Sequence, residues 1–241
     1  MVRQGRMSHL GKLVDSASAV LFDFFHTLSS IETTNDTLPP ESWQIMGLDR
    51  QAWRREWNRI TPARLTGRIT APYELLSVPA KAAAPTVDEQ LIGAAVQARL
   101  GKFANAVLRI DESVMRSLQI LRDRGKRLGL VSNADAIEIA SWGQSPLREA
   151  FDAVLFSCEV GLVKPDKAIY LRACNELGVR PSECLFVGDG GSDELKGAKA
   201  LGMTAVQVTG IRARLWPETV EESGRHADCC IDSIAALTEE A

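Results

Sequence analysis

The chain has 241 residues, with 28 Lys+Arg against 31 Asp+Glu for a net charge of −3; 45% of residues are hydrophobic and 24% charged. That composition supports a buried core and excludes a disordered, collagen-like or disulfide-scaffold chain. The charge is balanced and unclustered, so no nucleic-acid partner is expected, and no apolar run approaches the roughly 18 residues of a membrane helix.

Residues 1–17 are polar and basic, lack the apolar segment of a signal peptide, and read as a loose leader. Residues 19–25 (AVLFDFF) then form a run dense in strand formers. Similar runs follow at 127–131, 153–156, 184–187 and 204–208, with a short sixth at 228–231. Near-continuous apolar runs of this length are the pattern of parallel strands buried on both faces. Between them lie helical patterns with readable ends. Asp111 is placed to cap a helix whose Val114, Leu118 and Leu121 share one face, with Gly125 as its stop. Pro165 suits the first turn of another helix, in which Ile169, Ala173 and Leu177 follow at four-residue steps and Gly178 ends the run.

Residues 31–107 break this rhythm. They hold Trp43, Trp53, Trp57 and most of the prolines, and their patterns are helical. Leu91, Ile92, Ala95, Val96, Leu100 and Phe103 make one broad apolar stripe, whereas residues 79–86 (PAKAAAPT) read as a loop. The predicted fold is therefore α/β: a doubly wound parallel sheet at 18–30 and 108–241, with an inserted α-helical cap at 31–107. Five cysteines, an odd number without metal-ligand spacing, read as reduced thiols of a cytoplasmic protein.

In open α/β sheets, ligands bind beyond the carboxyl ends of the strands. The first predicted strand ends at Asp23, the second at Ser132 and Asn133, and the fourth at Gly188 and Asp189; Lys164 lies in the loop after the third. A carboxylate such as Asp23 is a competent nucleophile when its charge is offset. Asp23 and Asp189 side by side would repel unless a cation lay between them, and Mg²⁺ takes such hard oxygen ligands. Ser132 and the free backbone N–H groups at the start of the following helix are suited to phosphate oxygens, and Lys164 to neutralising Asp23 and a transferring group.

Four motifs now stand in order: FDFFHTL (22–28), LVSNAD (130–135), GLVKPDKAIY (161–170) and VGDGGSDELKGAKALG (187–202). Together they resemble the haloacid dehalogenase superfamily of hydrolases, most of them phosphatases, over nearly all of residues 18–233. The resemblance implies that Asp23 is the nucleophile, Ser132 and Asn133 bind substrate, Lys164 orients and neutralises, and Asp23, Asp189, Asp193 and the backbone carbonyl of Phe25 hold Mg²⁺. A small phosphorylated metabolite is the implied partner, and Glu194 reads as a surface charge. The chain departs from the family where phosphatases carry a second aspartate two residues after the nucleophile. Phe25 stands there and His26 follows, His26 reading either as a packed imidazole or as a substitute proton donor that touches substrate. The expected activity is Mg²⁺-dependent phosphate-ester hydrolysis through a phosphoaspartyl intermediate. The alternatives are a metal-independent 2-haloacid dehalogenase and a degenerate relative that binds a phosphorylated ligand with little turnover.

Overall fold

The structure is a computed structural model and describes residues 2–32 and 40–239. Its core is a six-stranded sheet in which every described pairing is parallel: β1 (Ala19–Phe22), β2 (Arg127–Ser132), β3 (Ala153–Phe156), β4 (Cys184–Gly188), β5 (Thr204–Val208) and β6 (Cys229–Ile231). The spatial order is β3-β2-β1-β4-β5-β6. Alternate residues of each central strand feed opposite layers, as the two-residue period of a strand requires. Val20, Phe22, Leu128, Leu130, Leu185, Val187, Val206 and Val208 enter one apolar cluster, and Leu21, Val131, Phe186 and Ala205 the other.

Two helices cover the first face. One is α1 (Val2–Ser16); the other is α7 (Glu112–Asp123), which contributes Val114, Leu118 and Leu121. The expectation of a loose leader at 1–17 is thereby corrected. Leu10 and Val14 are buried in the core and Leu13 packs against it, because their three- and four-residue spacing makes an apolar stripe. On the second face, after the short α8 (Ser157–Val160), lie α9 (Lys167–Leu177) and α10 (Glu194–Lys199). Asp166, whose carboxylate accepts from the Ala168 N–H, is the cap of α9, so Pro165 precedes the helix and does not open it. Gly178 ends it in the left-handed region at φ 64°.

Residues inserted after β1 form a helical unit with its own core: α2 (Ser42–Ile45), α3 (Arg50–Arg59), α4 (Thr61–Leu65), α5 (Pro72–Ala83) and α6 (Glu89–Leu108). Residues 33–39 of the expected cap lie outside the described residues. The loop expected at 79–86 is helical as far as Ala83. Pro79 forgoes one backbone hydrogen bond there, but it and Ala80 are buried, and the alanine-rich segment favours helix. Of the predicted stripe on α6, Ile92, Ala95, Val96 and Phe103 are buried, whereas Leu91 faces solvent.

Four charges fasten this unit to the loop that follows β2. Arg64 and Arg99 each reach Asp135 Oδ2 at 3.1 Å, and Arg99 also holds Glu138 Oε1 at 2.6 Å. Both guanidinium groups stand over the Trp57 ring, at 4.5 and 4.9 Å from its centroid. Asp135 is fully buried, and burial, with the neighbouring Asp135 charge, pushes the Glu138 carboxyl up to about 7. Unfolded, Glu138 titrates near 4.5, so between these values the folded state binds more protons and stability falls as pH rises. Urea unfolding across pH 4.5–7 should show this slope in wild type, and Glu138→Gln should make it shallower by the share of this one carboxyl. A slope unchanged in the variant would exclude Glu138 as its source.

Candidate active site

The sheet order places a topological switch between β1 and β4, where the chain leaves the two strands in opposite directions. Phe22 pairs with Val187 across that seam, and the Asp23 N–H donates to Val187 O at 2.9 Å. The residues that continue the two strands, Asp23 and Asp189, therefore emerge side by side, each under a tenth exposed. Ser132 ends β2 on the other side of β1 and is 1% exposed.

Lys164 lies at the centre. Its Nζ donates to Asp23 Oδ1 at 2.5 Å and to Glu194 Oε2 at 2.6 Å. Burial pulls its pKa down, but the two carboxylates outweigh burial and raise it, so the ammonium stays charged. Burial raises Asp23; Lys164 opposes that and the Asp189 charge adds to it. Burial, with the charge of Asp23, pushes Glu194 up to about 8. Thr27 Oγ1 approaches Asp23 Oδ2 at 3.4 Å, and Tyr170 Oη donates to the Glu194 carbonyl at 2.9 Å.

Asn133 clamps the backbone of Lys164. Its Nδ2 donates to Lys164 O at 2.9 Å, and its Oδ1 accepts from Lys164 N at 2.8 Å. Each end of the amide thus holds one backbone group of Lys164, and Asn133 lines the same cavity as Ser132 and Lys164.

The acidic loop differs most from expectation. Oxygens of Asp23, Asp189 and Glu194 lie within 4.8 Å of one another, all three residues buried. Asp193, the expected metal ligand, is exposed, and Glu194, expected at the surface, is 1% exposed. The reason is local. Ser192 and Asp193 both sit in the left-handed region, at φ 55° and 52°, and this turn swings the first residue of α10 inward. Leu195 and Ala198, which follow Glu194 on the buried face of α10, carried the signal that could have found it. Three hard carboxylate donors in this geometry suit Mg²⁺.

His26 and Phe25 line the same cavity of about 450 Å³ as Asp23, Ser132, Lys164 and Asp189. His26 has φ 64°, its Nδ1 lies 3.3 Å from Ser30 Oγ and 3.5 Å from Glu32, and its ring meets Trp216 edge-on. The Phe25 ring packs on Phe24 and, across the seam with the helical unit, on Phe103. Arg212, from α11 (Gly210–Leu215), pairs with Asp189 Oδ2 at 2.7 Å; nothing in the sequence reading pointed to it.

The family model for haloacid dehalogenase-like hydrolases matches residues 17–202. The chain belongs to that family. Among haloacid dehalogenase-like proteins, it is 33% identical over 125 residues to glyceraldehyde 3-phosphate phosphatase of Methanopyrus kandleri, a match covering 50% of this chain and 52% of that protein. The chain thus spans about half the length of that relative. Among solved structures, a 2-haloacid dehalogenase from Pseudomonas syringae pv. Tomato matches with TM-score 0.65 at 22% identity, over 92% of this chain and 96% of the other. A HAD phosphatase from Thermococcus onnurineus matches with TM-score 0.58 at 23% identity, over 91% and 95%. Proteins named for two different chemistries thus share this fold, and the fold by itself assigns neither to this chain.

Gly188 shows how tightly that site is packed. A Cβ there would overlap Glu194 Oε1 and stand 3.1 Å from the Phe186 ring. Gly188→Ala should therefore lower unfolding stability by about 1–3 kcal/mol. Gly93→Ala, in α6 with nothing within 4 Å, should be neutral or stabilising by about 0.5–1 kcal/mol. Equal urea midpoints for Gly188→Ala and wild type would refute the close approach.

Proposed function

We propose that the chain is a Mg²⁺-dependent phosphohydrolase acting on a small phosphorylated metabolite, with Asp23 as nucleophile. The observation that carries this reading is the buried trio of Asp23, Asp189 and Glu194 within 4.8 Å. Lys164 and Arg212 offset two of the three charges, and the remaining one is costly to keep out of water without a further cation. Asp23, Asp189 and Glu194 would hold the ion, with the Phe25 carbonyl as a further oxygen donor. Bound there, Mg²⁺ supplies a positive centre for the oxygens of a transferring phosphoryl group.

The chain's own groups do the rest. Lys164 keeps Asp23 oriented and spreads the charge that gathers in the transition state. Ser132, which lines the same cavity, donates to the phosphoryl oxygens. Asp23 attacks phosphorus, the bond to the leaving oxygen breaks, and water later cleaves the acyl phosphate so formed. Phe25 carries no titratable group, so any proton transfer falls to a neighbour. His26 is the nearest candidate in sequence, with Glu32 at 3.5 Å from Nδ1 to orient it. Substrates with good leaving groups, acyl phosphates and anhydrides, should be favoured over sugar phosphates.

The alternative is metal-independent attack of Asp23 on carbon in a 2-haloacid. The apolar Phe25 ring, seated on Phe103, favours it, since displacement of halide needs no proton at that place. A panel of phosphorylated metabolites and 2-haloacids, assayed with Mg²⁺ and with chelator, separates the two. Phosphate release that chelator abolishes is expected; dehalogenation undiminished by chelator would replace the phosphatase reading.

Asp23→Asn should lower turnover on the order of 10³-fold or more while the fold survives. Asp189→Asn and Glu194→Gln should weaken Mg²⁺ binding in calorimetry, whereas exposed Asp193→Asn should leave it near wild type. Loss of binding in Asp193→Asn alone would restore the original motif reading. In rapid-quench experiments, phosphoenzyme should outlast its wild-type lifetime in His26→Ala and fade faster in Phe25→Asp. Unaltered lifetimes in both would remove His26 as proton carrier.

A further inference from the structure

Asp189 is the carboxylate of the trio that Lys164 does not hold. Its Oδ1 accepts from the Gly191 N–H at 2.8 Å, and its Oδ2 is taken by Arg212 Nη2 at 2.7 Å. Arg212 is anchored from behind, where Nη1 donates to Thr219 Oγ1 at 3.0 Å and Thr219 Oγ1 donates to Trp216 O at 2.8 Å. Its Nε is buried without a hydrogen-bond partner among the described residues. An unsatisfied buried donor disfavours its present position and favours any other in which that N–H is met. Such a partner would arrive with a substrate anion, because Arg212 lines the same cavity as Asp23, Ser132 and Lys164.

Three carboxylates thus face two cationic side chains, Lys164 and Arg212. A divalent cation on Asp189 would lie beside a guanidinium bound to one of its own ligands. A unit charge a few ångström away changes the affinity for an ion on the order of tenfold or more in a partly screened site.

We propose that Arg212 is a built-in competitor of the divalent cation for Asp189. Cation binding displaces the guanidinium, and an anion in the cavity draws the cation in by giving the released Arg212 a new partner. Linkage makes this reciprocal, so the cation tightens anion binding by the same factor. The inference rests on the Mg²⁺ reading above and goes beyond it by coupling the ion's arrival to that of the substrate.

Mn²⁺, which shares the preference of Mg²⁺ for carboxylate oxygens, permits a test without substrate. Free Mn²⁺ is titrated by electron paramagnetic resonance against the full chain, with and without inorganic phosphate. The proteins are wild type, Arg212→Gln and Arg225→Gln, the last removing an exposed charge from the rim of the neighbouring cavity. Without phosphate, Arg212→Gln should bind Mn²⁺ about tenfold or more tighter than wild type, and Arg225→Gln should match wild type. Phosphate should strengthen Mn²⁺ binding more in wild type than in Arg212→Gln. If Arg212→Gln is unfolded by circular dichroism, Thr219→Val, which removes only the anchor, should show a smaller gain of the same sign. No gain in the Arg212 and Thr219 variants, an equal gain in Arg225→Gln, or equal phosphate effects would each overturn competition. Mn²⁺ bound by wild type in those cases leaves the Mg²⁺ reading standing; no Mn²⁺ bound by any folded protein removes both.

Discussion

Lys164 is 3% exposed, yet it stands 2.5 Å from Asp23 and 2.6 Å from Glu194. Carboxylates leave water at a large desolvation cost, which a buried ammonium between them offsets only when its geometry is fixed. Much of the surrounding structure supplies that geometry. Asn133 clamps the lysine's backbone from the end of β2, Tyr170 reaches from α9 to the start of α10, and Gly188 has no side chain where Glu194 folds against β4. Removing the lysine would leave two buried carboxylates without their cation, a loss of about 3–5 kcal/mol in comparable pairs. The position of Asp23 and the stability of the fold therefore depend on the same three side chains.

The sheet was legible because its strands are buried on both faces and so read as uninterrupted apolar runs. Helix ends were legible where a side chain or a glycine marks them, as at Asp111 and Gly178. Once the strands were placed, topology alone brought Asp23, Ser132 and Asp189 to one edge. Other features lacked such local marks. Asp193 and Glu194 are adjacent acids, and only two consecutive left-handed residues decide which one turns inward. Arg212 lies 23 residues from its partner, in a short helix with no motif. The stripe of α1 was present in Leu10, Leu13 and Val14 but was masked by the polar residues around it.

The helical unit and the site are joined through one turn. Asp135 Oδ1 accepts from the N–H groups of Ile137 and Glu138, and Glu138 Oε2 accepts from the Asp135 N–H at 2.9 Å. This reciprocal box fixes the turn only three residues beyond Ser132, while the outer oxygens of both acids hold Arg64 and Arg99. Phe25 makes a second, apolar seam against Phe103. The chain that leaves Asp23 and the chain that leaves Ser132 are thus both tied to the helices above them. Any rearrangement of those helices would be felt at both Asp23 and Ser132.

The left-handed pair at Ser192 and Asp193 carries a consequence for how this protein can change. Side chains with a Cβ adopt that conformation at a cost, of order 1–3 kcal/mol for each strained residue. Glycine at either position would relieve the cost and would also widen the set of shapes open to the loop. One route to a hardier protein therefore runs through the segment that aims Glu194. A lineage selected for heat resistance would meet a conflict there between durability and a well-aimed carboxylate.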